Sequence, residues 1–240
     1  MLLSIESTEL LTGACISGDY WDFDELINAI YEVIGDENRY YDYQGARHRV
    51  LGVCFDLRHA AKGEKNIELV TNGIHRGILK SHDLIVPEKN VYFSVEILWP
   101  ELLFTTLALN DFITLHNEMI DDSLWNIHIS VIRKFQSSVA DCLKNHLAEE
   151  HYTVFSQLMQ NKSPKYFRYA TQYVDLLNLE YINLSIEERK ENLAAFAIRL
   201  LIEDESYLAL KEEILATASI TKNEIHELPL TMKYPEEIEW

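Results

Sequence analysis

The sequence predicts an α+β fold, in which a small sheet and its helices lead into an all-helical second half. Three observations support this. Residues 91–99 alternate apolar and polar side chains, which is the period of a β-strand. Residues 23–34 carry apolar side chains at helical spacing. Strand patterns stop at about residue 121, so we expect an N-terminal α+β part over 1–120, a helical part over 121–220 and an irregular tail over 221–240.

The first elements follow from local patterns. Residues 2–5 and 13–18 are predicted strands, and Gly18 closes the second. Asp19 or Asp22 is the predicted N-cap of the first helix, and Gly35 its end. After a tyrosine-rich loop, a second helix with one apolar face is predicted over 46–62. The aromatic residues around the first helix are predicted to cover the core or to form a binding surface.

The rest of the first half adds one or two strands. A strand over 66–70 and a short helix over 75–82 precede the alternating strand from residue 91. Pro100 is placed to start a helix that is apolar on most of its circumference, which predicts a central, buried helix. Together these elements predict a mixed or antiparallel sheet of three or four strands.

The second half shows helical patterns over 123–146, 151–160 and 207–218. Ser163-Pro164 is predicted to open a helix to residue 179. Ser185 and Glu188 form a capping-box pattern ahead of the apolar run 193–202. The chain contains no internal repeat and no Gly/Ser linker, which predicts a single globular unit over 1–240.

Charge and composition exclude several classes of partner. The formal net charge is −18, and both halves of the chain are acidic. A uniformly negative surface repels phosphate backbones, so we expect neither nucleic acid nor anionic membrane as a partner. The most apolar window, 91–115, is interrupted by charges and a proline. The start of the chain lacks the basic region of a signal peptide, and the three cysteines show no disulfide pattern, so we expect a cytoplasmic protein.

No motif of known chemistry is present. The nine histidines and three cysteines lack the spacing of metal ligands, so we expect no metal and no cofactor. The pair His146 and His151 has the wrong spacing to share one helical face. Asp22 and Asp24 resemble the start of a calcium loop, but the later glycine and glutamate are missing, which favours helix capping.

Three residues of the second helix are the candidate ligand-binding residues: Arg49, Asp56 and His59. Arg49 and Asp56 lie seven residues apart, on the same edge of the apolar face, and Asp56 and His59 are three apart. An Arg49–Asp56 pair would orient a ligand or would satisfy the protein interior. The sequence favours the structural pair and leaves the ligand site open.

Several segments of the first half resemble one family. They are Leu11-Thr-Gly, Ile16-Ser-Gly-Asp, Trp21-Asp22, Arg49-Val-Leu-Gly-Val-Cys, Arg58-His59, Asn90-Val-Tyr-Phe-Ser and Leu98-Trp-Pro-Glu. Over residues 1–115 the chain resembles a family of uncharacterised proteins of low-GC Gram-positive bacteria, a domain of unknown function. The resemblance implies a cytosolic, bacterial setting and assigns no catalytic residue.

Two functions are compatible with these observations. The first is a non-catalytic protein–protein interaction or regulatory module, which binds a partner protein or associates with itself. The alternative is an enzyme or a small-ligand-binding protein with its site near Arg49, Asp56 and His59. A deep pocket lined by these three residues would favour the alternative, and an exposed apolar or aromatic patch would favour the first.

Overall fold

The computed structural model describes residues 3–74, 76–82, 85–120, 125–159, 170–228 and 233–240. The strands in these ranges are β1 (Ser4–Ser7), β2 (Gly13–Gly18), β3 (Asn66–Thr71) and β4 (Lys89–Leu98). The α-helices there are α1 (Tyr20–Ile34), α2 (Gln44–Ala61), α3 (Arg76–His82), α4 (Trp99–Met119), α5 (Ile127–Lys144), α6 (Glu149–Met159), α7 (Ala170–Ile182), α8 (Ile186–Arg199) and α9 (Glu205–Thr221). The predicted α+β class, with a helical second half, is confirmed.

The four strands form one antiparallel sheet in the order β1-β2-β4-β3. β4 pairs with β2 over residues 93–98 and with β3 over residues 89–94. The last residues of β4, 95–98, therefore have β2 on one side and no described strand on the other. This gap beside β4 is where the candidate site lies.

Local sequence patterns account for the first elements. Asp19 caps α1 and forms a capping box with Asp22, which explains these carboxylates without a metal. Gly35 ends the helix with a φ of 65°, a conformation that favours glycine. β2 occupies the predicted residues, whereas β1 lies two residues later than predicted, at Ser4–Ser7.

The second half is helical throughout its described residues, apart from connections and the tail. The predicted capping box of Ser185 and Glu188 is present at the start of α8. Asn126 caps α5, so this helix begins later than the predicted residue 123. The predicted start at Ser163-Pro164 lies outside the described residues.

The helix α4 lies at the centre of the core, as predicted. Thirteen of its residues are buried, and the largest fully buried side chain of the described residues is Trp99 at its start. One continuous apolar cluster joins side chains of the sheet with side chains of helices from both halves of the chain. That the two halves unfold together remains a prediction.

No helix in the described part of the chain is both long enough and apolar enough to cross a membrane.

Candidate functional site

A buried arginine joins three helices next to the end of β4. The Arg49 side chain in α2 is 14% exposed. Its Nε donates to Glu101 Oε1 at 3.1 Å, and its Nη2 donates to the second oxygen of the same carboxylate. Its Nη1 donates to Asp175 Oδ1 at 2.6 Å. Since Glu101 belongs to α4 and Asp175 to α7, one guanidinium holds α2, α4 and α7 together.

Burial and the ion pairs act in opposite directions on the pKa values of this group. Burial raises the pKa of Glu101, and the Arg49 guanidinium opposes that rise. The two carboxylates in turn raise the pKa of Arg49 against the effect of its own burial. One cation therefore faces two carboxylates, and the cluster carries excess negative charge.

The C-terminal tail is attached to the same cluster. Tyr234 Oη donates to Asp175 Oδ1 at 2.7 Å and accepts a hydrogen bond from Asn178 Nδ2 at 3.0 Å. Asn178 Nδ2 also donates to Glu101 Oε2 at 3.0 Å. Burial raises the pKa of Tyr234, which therefore stays a neutral donor. The hydroxyl group holds the tail against α7.

A second attachment lies near the end of the tail. Thr12 Oγ1 donates to the Glu239 carbonyl at 2.6 Å. Arg189, buried in α8, donates to Thr12 Oγ1 at 2.7 Å and to the Leu10 carbonyl at 3.0 Å. The described tail residues 233–240 contain no helix or strand, and hydrogen bonds fix them at residues 234 and 239.

Arg49 and its partners Glu101, Asp175, Asn178 and Tyr234 line a cavity of about 560 Å³, which we call the Arg49 cavity. Its volume lies within the range of about 300–1,000 Å³ that is usual for ligand sites. The gap beside β4 and helices α2 and α7 form its walls, and the tail covers one side. Its charged, titratable and aromatic lining residues are His48, Arg49, Asp56, Lys65, Glu96, Glu101, Asp175, Phe55, Tyr234 and Trp240.

Backbone groups of β4 also face the cavity. Trp99 N–H donates to the Thr12 carbonyl at 3.3 Å, which places the odd-numbered residues of β4 in hydrogen bonding with β2. Glu96 therefore directs its N–H and C=O groups to the opposite side, into the gap. The cavity wall thus offers carboxylate and carbonyl oxygens together.

The predicted Arg49–Asp56 pair is wrong. Seven residues along a helix correspond to a rise of about 10 Å. Glu101 and Asp175 approach Arg49 from facing helices and replace Asp56 as its partners. Asp56 instead lies 3.6 Å from Lys65 Nζ, at the exposed rim of the cavity. Both residues line the same cavity without contacting each other.

The third candidate residue lies elsewhere. His59 contacts the Glu64 carboxylate through Nδ1, and its ring lies 4.1 Å from the ring of Phe55. Phe55 lines the cavity, whereas His59 is not among the lining residues. The structure therefore brings two of the three candidate residues, Arg49 and Asp56, to one site.

A family model described as a domain of unknown function, DUF6904, matches residues 3–240. The chain belongs to this family. The resemblance to a domain-of-unknown-function family is thus confirmed, and it extends over nearly the whole chain. No curated protein and no solved structure matches the chain.

The aromatic residues near α1 fall into two groups, one packed against the core and one exposed. Tyr40 and Tyr43 pack against Phe112 of α4, with ring centroids 5.9 and 6.1 Å apart, and cover the core. Trp21 and Tyr41 are exposed. The exposed pair lies outside the Arg49 cavity.

Two buried cysteine thiols of this DUF6904 member are poor nucleophiles. All three cysteines are free, and burial raises the pKa of Cys54 to about 12 and that of Cys142 to about 11. These thiols are therefore protonated and poor nucleophiles at neutral pH. Among the described residues, no group of three or more His, Cys, Asp or Glu side chains is arranged to hold a metal ion.

The sequence did not reveal most of the cavity. The missed residues are Glu101, Asp175, Asn178, Tyr234 and Trp240. One pattern was available for the first of them, because Glu101 is a carboxylate in the first turn of a helix that is otherwise mostly apolar. A carboxylate in such a buried helix requires a cationic partner.

Proposed function

We propose that this protein is a non-catalytic binding protein whose Arg49 cavity holds a small organic cation. The observation that carries the proposal is the composition of the cavity wall. Four acidic residues (Asp56, Glu96, Glu101 and Asp175) line it beside Arg49, Lys65 and His48, of which only Arg49 and Lys65 are always basic. The wall also contains three aromatic rings, those of Phe55, Tyr234 and Trp240.

The hydrogen bonds of the cavity favour a cation over an anion. Arg49 donates to two carboxylates, and Lys65 lies beside Asp56, so both basic groups already face negative charge. An anionic ligand would compete with these carboxylates and would meet a wall of excess negative charge. An ammonium group would instead find oxygen acceptors at Glu96 and Asp175, together with aromatic faces that attract cations.

The charge of the whole chain acts in the same direction. A net charge of −18 attracts cations toward the protein and repels nucleic acid and anionic membranes. We include a bacterial, cytoplasmic setting in the proposal, supported by the three free cysteines.

The first test is a thermal-shift measurement with spermidine and choline as probes. A ligand that binds only the folded state raises the melting temperature with its concentration. We expect at least one of the two cations to raise it by several degrees above a sodium chloride control of equal ionic strength. Citrate, as an anionic control, should produce no such rise. A larger rise with citrate than with either cation would overturn the proposal.

A pair of matched variants locates the binding. Trp240 lines the cavity, whereas Trp125 is 88% exposed and lies outside it. Trp240→Ala should reduce the cation-dependent shift, and Trp125→Ala should leave it at the wild-type value. An equal reduction in both variants would show that the cation acts on the general surface.

A protein–protein interaction function has separate support from an exposed edge of the sheet. This edge does not contribute to the Arg49 cavity, so the two functions are compatible in one molecule.

A further inference from the structure

Among the described strands, β3 lies at one edge of the sheet, which we call the β3 edge. It pairs with β4 on one side, and it is the last strand in the order β1-β2-β4-β3. All six of its residues are exposed, including Ile67 at 56% and Leu69 at 61%. Folded proteins commonly protect an edge strand with a proline, a bulge or a charged side chain; β3 contains no proline and no lysine, and Glu68 is its one charged residue.

The outward backbone groups of β3 can be assigned from its pairing. Asn72 N–H donates to the Glu88 carbonyl at 3.1 Å, just beyond the last residue pair of β3 and β4. In an antiparallel pair, hydrogen-bonded positions alternate along the strand. The even-numbered residues of β3 therefore bond to β4, and Ile67, Leu69 and Thr71 direct their N–H and C=O groups toward the open side.

One face of this edge is apolar. Ile67 stands opposite Phe93 and Leu69 opposite Val91, so all four side chains lie on the face that packs against the helices. Phe93 reaches the core, whereas Val91 is 47% exposed. The apolar face of the sheet thus extends past the covering helices as an exposed strip of Ile67, Leu69 and Val91.

The opposite face is acidic. Glu6 and Glu96 flank Cys15 across the strands, and Glu68 accepts a hydrogen bond from Ser94 Oγ at 3.1 Å. Burial and these three carboxylates raise the pKa of the Cys15 thiol. No Lys or Arg stands on this face in the four described strands.

We propose that β3 is a docking edge which adds an extended segment of a partner protein as a fifth strand. The segment would alternate apolar side chains, packed on the Ile67, Leu69 and Val91 strip, with basic side chains near Glu68. Main-chain hydrogen bonds would form with Ile67, Leu69 and Thr71, the mode known as β-strand addition.

Charge decides between this occupant and a second copy of the chain. Pairing β3 with its own copy would bring together two molecules that each carry a net charge of −18. It would also join two acidic sheet faces into one. A basic segment relieves both repulsions and gains complementary charge.

The test uses a synthetic seven-residue peptide that alternates valine with lysine. Binding to the full chain is measured by fluorescence anisotropy, beside a matched peptide with glutamate in place of lysine. We expect saturable binding of the lysine peptide and at least tenfold weaker binding of the glutamate peptide, of the order that ~1.4 kcal/mol represents. A third peptide, N-methylated at alternate residues, should lose binding because it lacks the required N–H groups.

Two variants locate the contact on β3. Leu69→Lys places a charge on the exposed apolar strip and should weaken binding about tenfold, the loss of one buried apolar side chain. Ile220→Lys changes an apolar residue of α9 that is even more exposed than Leu69 and lies outside the sheet, and it should leave the affinity at its wild-type value. Circular dichroism of both variants checks that the fold is retained.

Three results would overturn the proposal. The first is equal binding of the lysine and glutamate peptides. The second is an equal effect of Leu69→Lys and Ile220→Lys on the affinity. The third is light scattering that shows a wild-type dimer which Leu69→Lys converts to a monomer. The segment bound at the β3 edge would then belong to a second copy of the chain.

Discussion

The Arg49 cavity buries charged side chains, whereas the β3 edge exposes apolar ones. Around the cavity, the charges of Arg49, Glu101 and Asp175 are largely withdrawn from water. At the edge, the hydrocarbon of Ile67 and Leu69 faces water. Buried charge and clustered exposed hydrocarbon both carry a free-energy cost, so each is informative in a way that an ordinary surface is not.

The two regions also differ in what they do for the fold. The cavity group connects α2, α4, α7 and the tail, so its residues come from both halves of the chain. The β3 edge belongs to the first half and bonds within the sheet only to β4. Changes at the buried group of Arg49, Glu101 and Asp175 should therefore alter stability strongly, whereas changes at the β3 edge should alter binding alone.

Dividing the chain should have the largest effect. Fragments 1–120 and 121–240 would separate Arg49 and Glu101 from Asp175 and Tyr234, and would expose the apolar surface of α4. We expect the intact chain to unfold in one main transition, and each fragment to aggregate or to melt without cooperativity. Calorimetry of the three samples is the measurement. Two fragments that each unfold cooperatively would replace the single unit with two domains.

Removing the buried cation should come next in size. Arg49→Met leaves Glu101 and Asp175 without their partner, which should lower the free energy of unfolding by about 3–5 kcal/mol. Arg58→Met, an exposed position of the same helix, is the matched control and should cost less than about 1 kcal/mol. Urea unfolding of the wild type and both variants measures the two losses of stability. A similar small loss in both would mean that the cavity charges are well hydrated.

The sequence predicted elements wherever the determining contacts are local. Asp19, Gly35 and Ser185 act within a few residues, and each ends or begins a helix as predicted. β1 was displaced by two residues, because a short strand with mixed burial has a weak pattern. Such local patterns were sufficient for the fold class.

The cavity could not be predicted by the same reasoning. The partners of Arg49 lie 52 and 126 residues away along the chain, and no local spacing connects them. The seven-residue spacing to Asp56 indicated a shared edge, which is correct, but not a contact. The role of the tail was hidden for another reason, since Tyr234 acts through a single hydroxyl group in an irregular segment.

Acidification should weaken the fold through a buried histidine. His116 of α4 is 1% exposed, and neither ring nitrogen has a hydrogen-bond partner among the described residues. Burial lowers its pKa, so below about pH 6.5 the unfolded chain takes up a proton that the folded chain does not. His116 should therefore reduce the free energy of unfolding by up to about 1.4 kcal/mol per pH unit, from that point down to its lower pKa in the folded chain.

His116→Leu tests this contribution. Denaturant melts between neutral pH and mild acid should show a shallower loss of stability in the variant than in the wild type. If stability falls equally with pH in the variant and in the wild type, His116 takes up its proton equally in the folded and unfolded chain. His116 would then not contribute to the pH dependence of stability.

Asp56→Ala should have a small effect. Its carboxylate lies at the rim, beside Lys65, and both side chains are roughly 40% exposed. We expect a loss below about 1 kcal/mol in a denaturant melt, the range of exposed ion pairs. A loss of several kcal/mol would place Asp56 with the buried charges and would restore the structural role that the sequence favoured.

The central claim is that the carboxylates of the Arg49 cavity hold an organic cation. Isothermal titration of spermidine tests it most directly, with wild-type protein, Glu96→Gln inside the cavity, and Glu150→Gln on the exposed start of α6. We expect saturable binding to the wild type, about fivefold weaker binding to Glu96→Gln, as for the loss of one partly exposed charge, and no change for Glu150→Gln. Equal weakening in both variants, or no saturable binding to the wild type, would contradict the account.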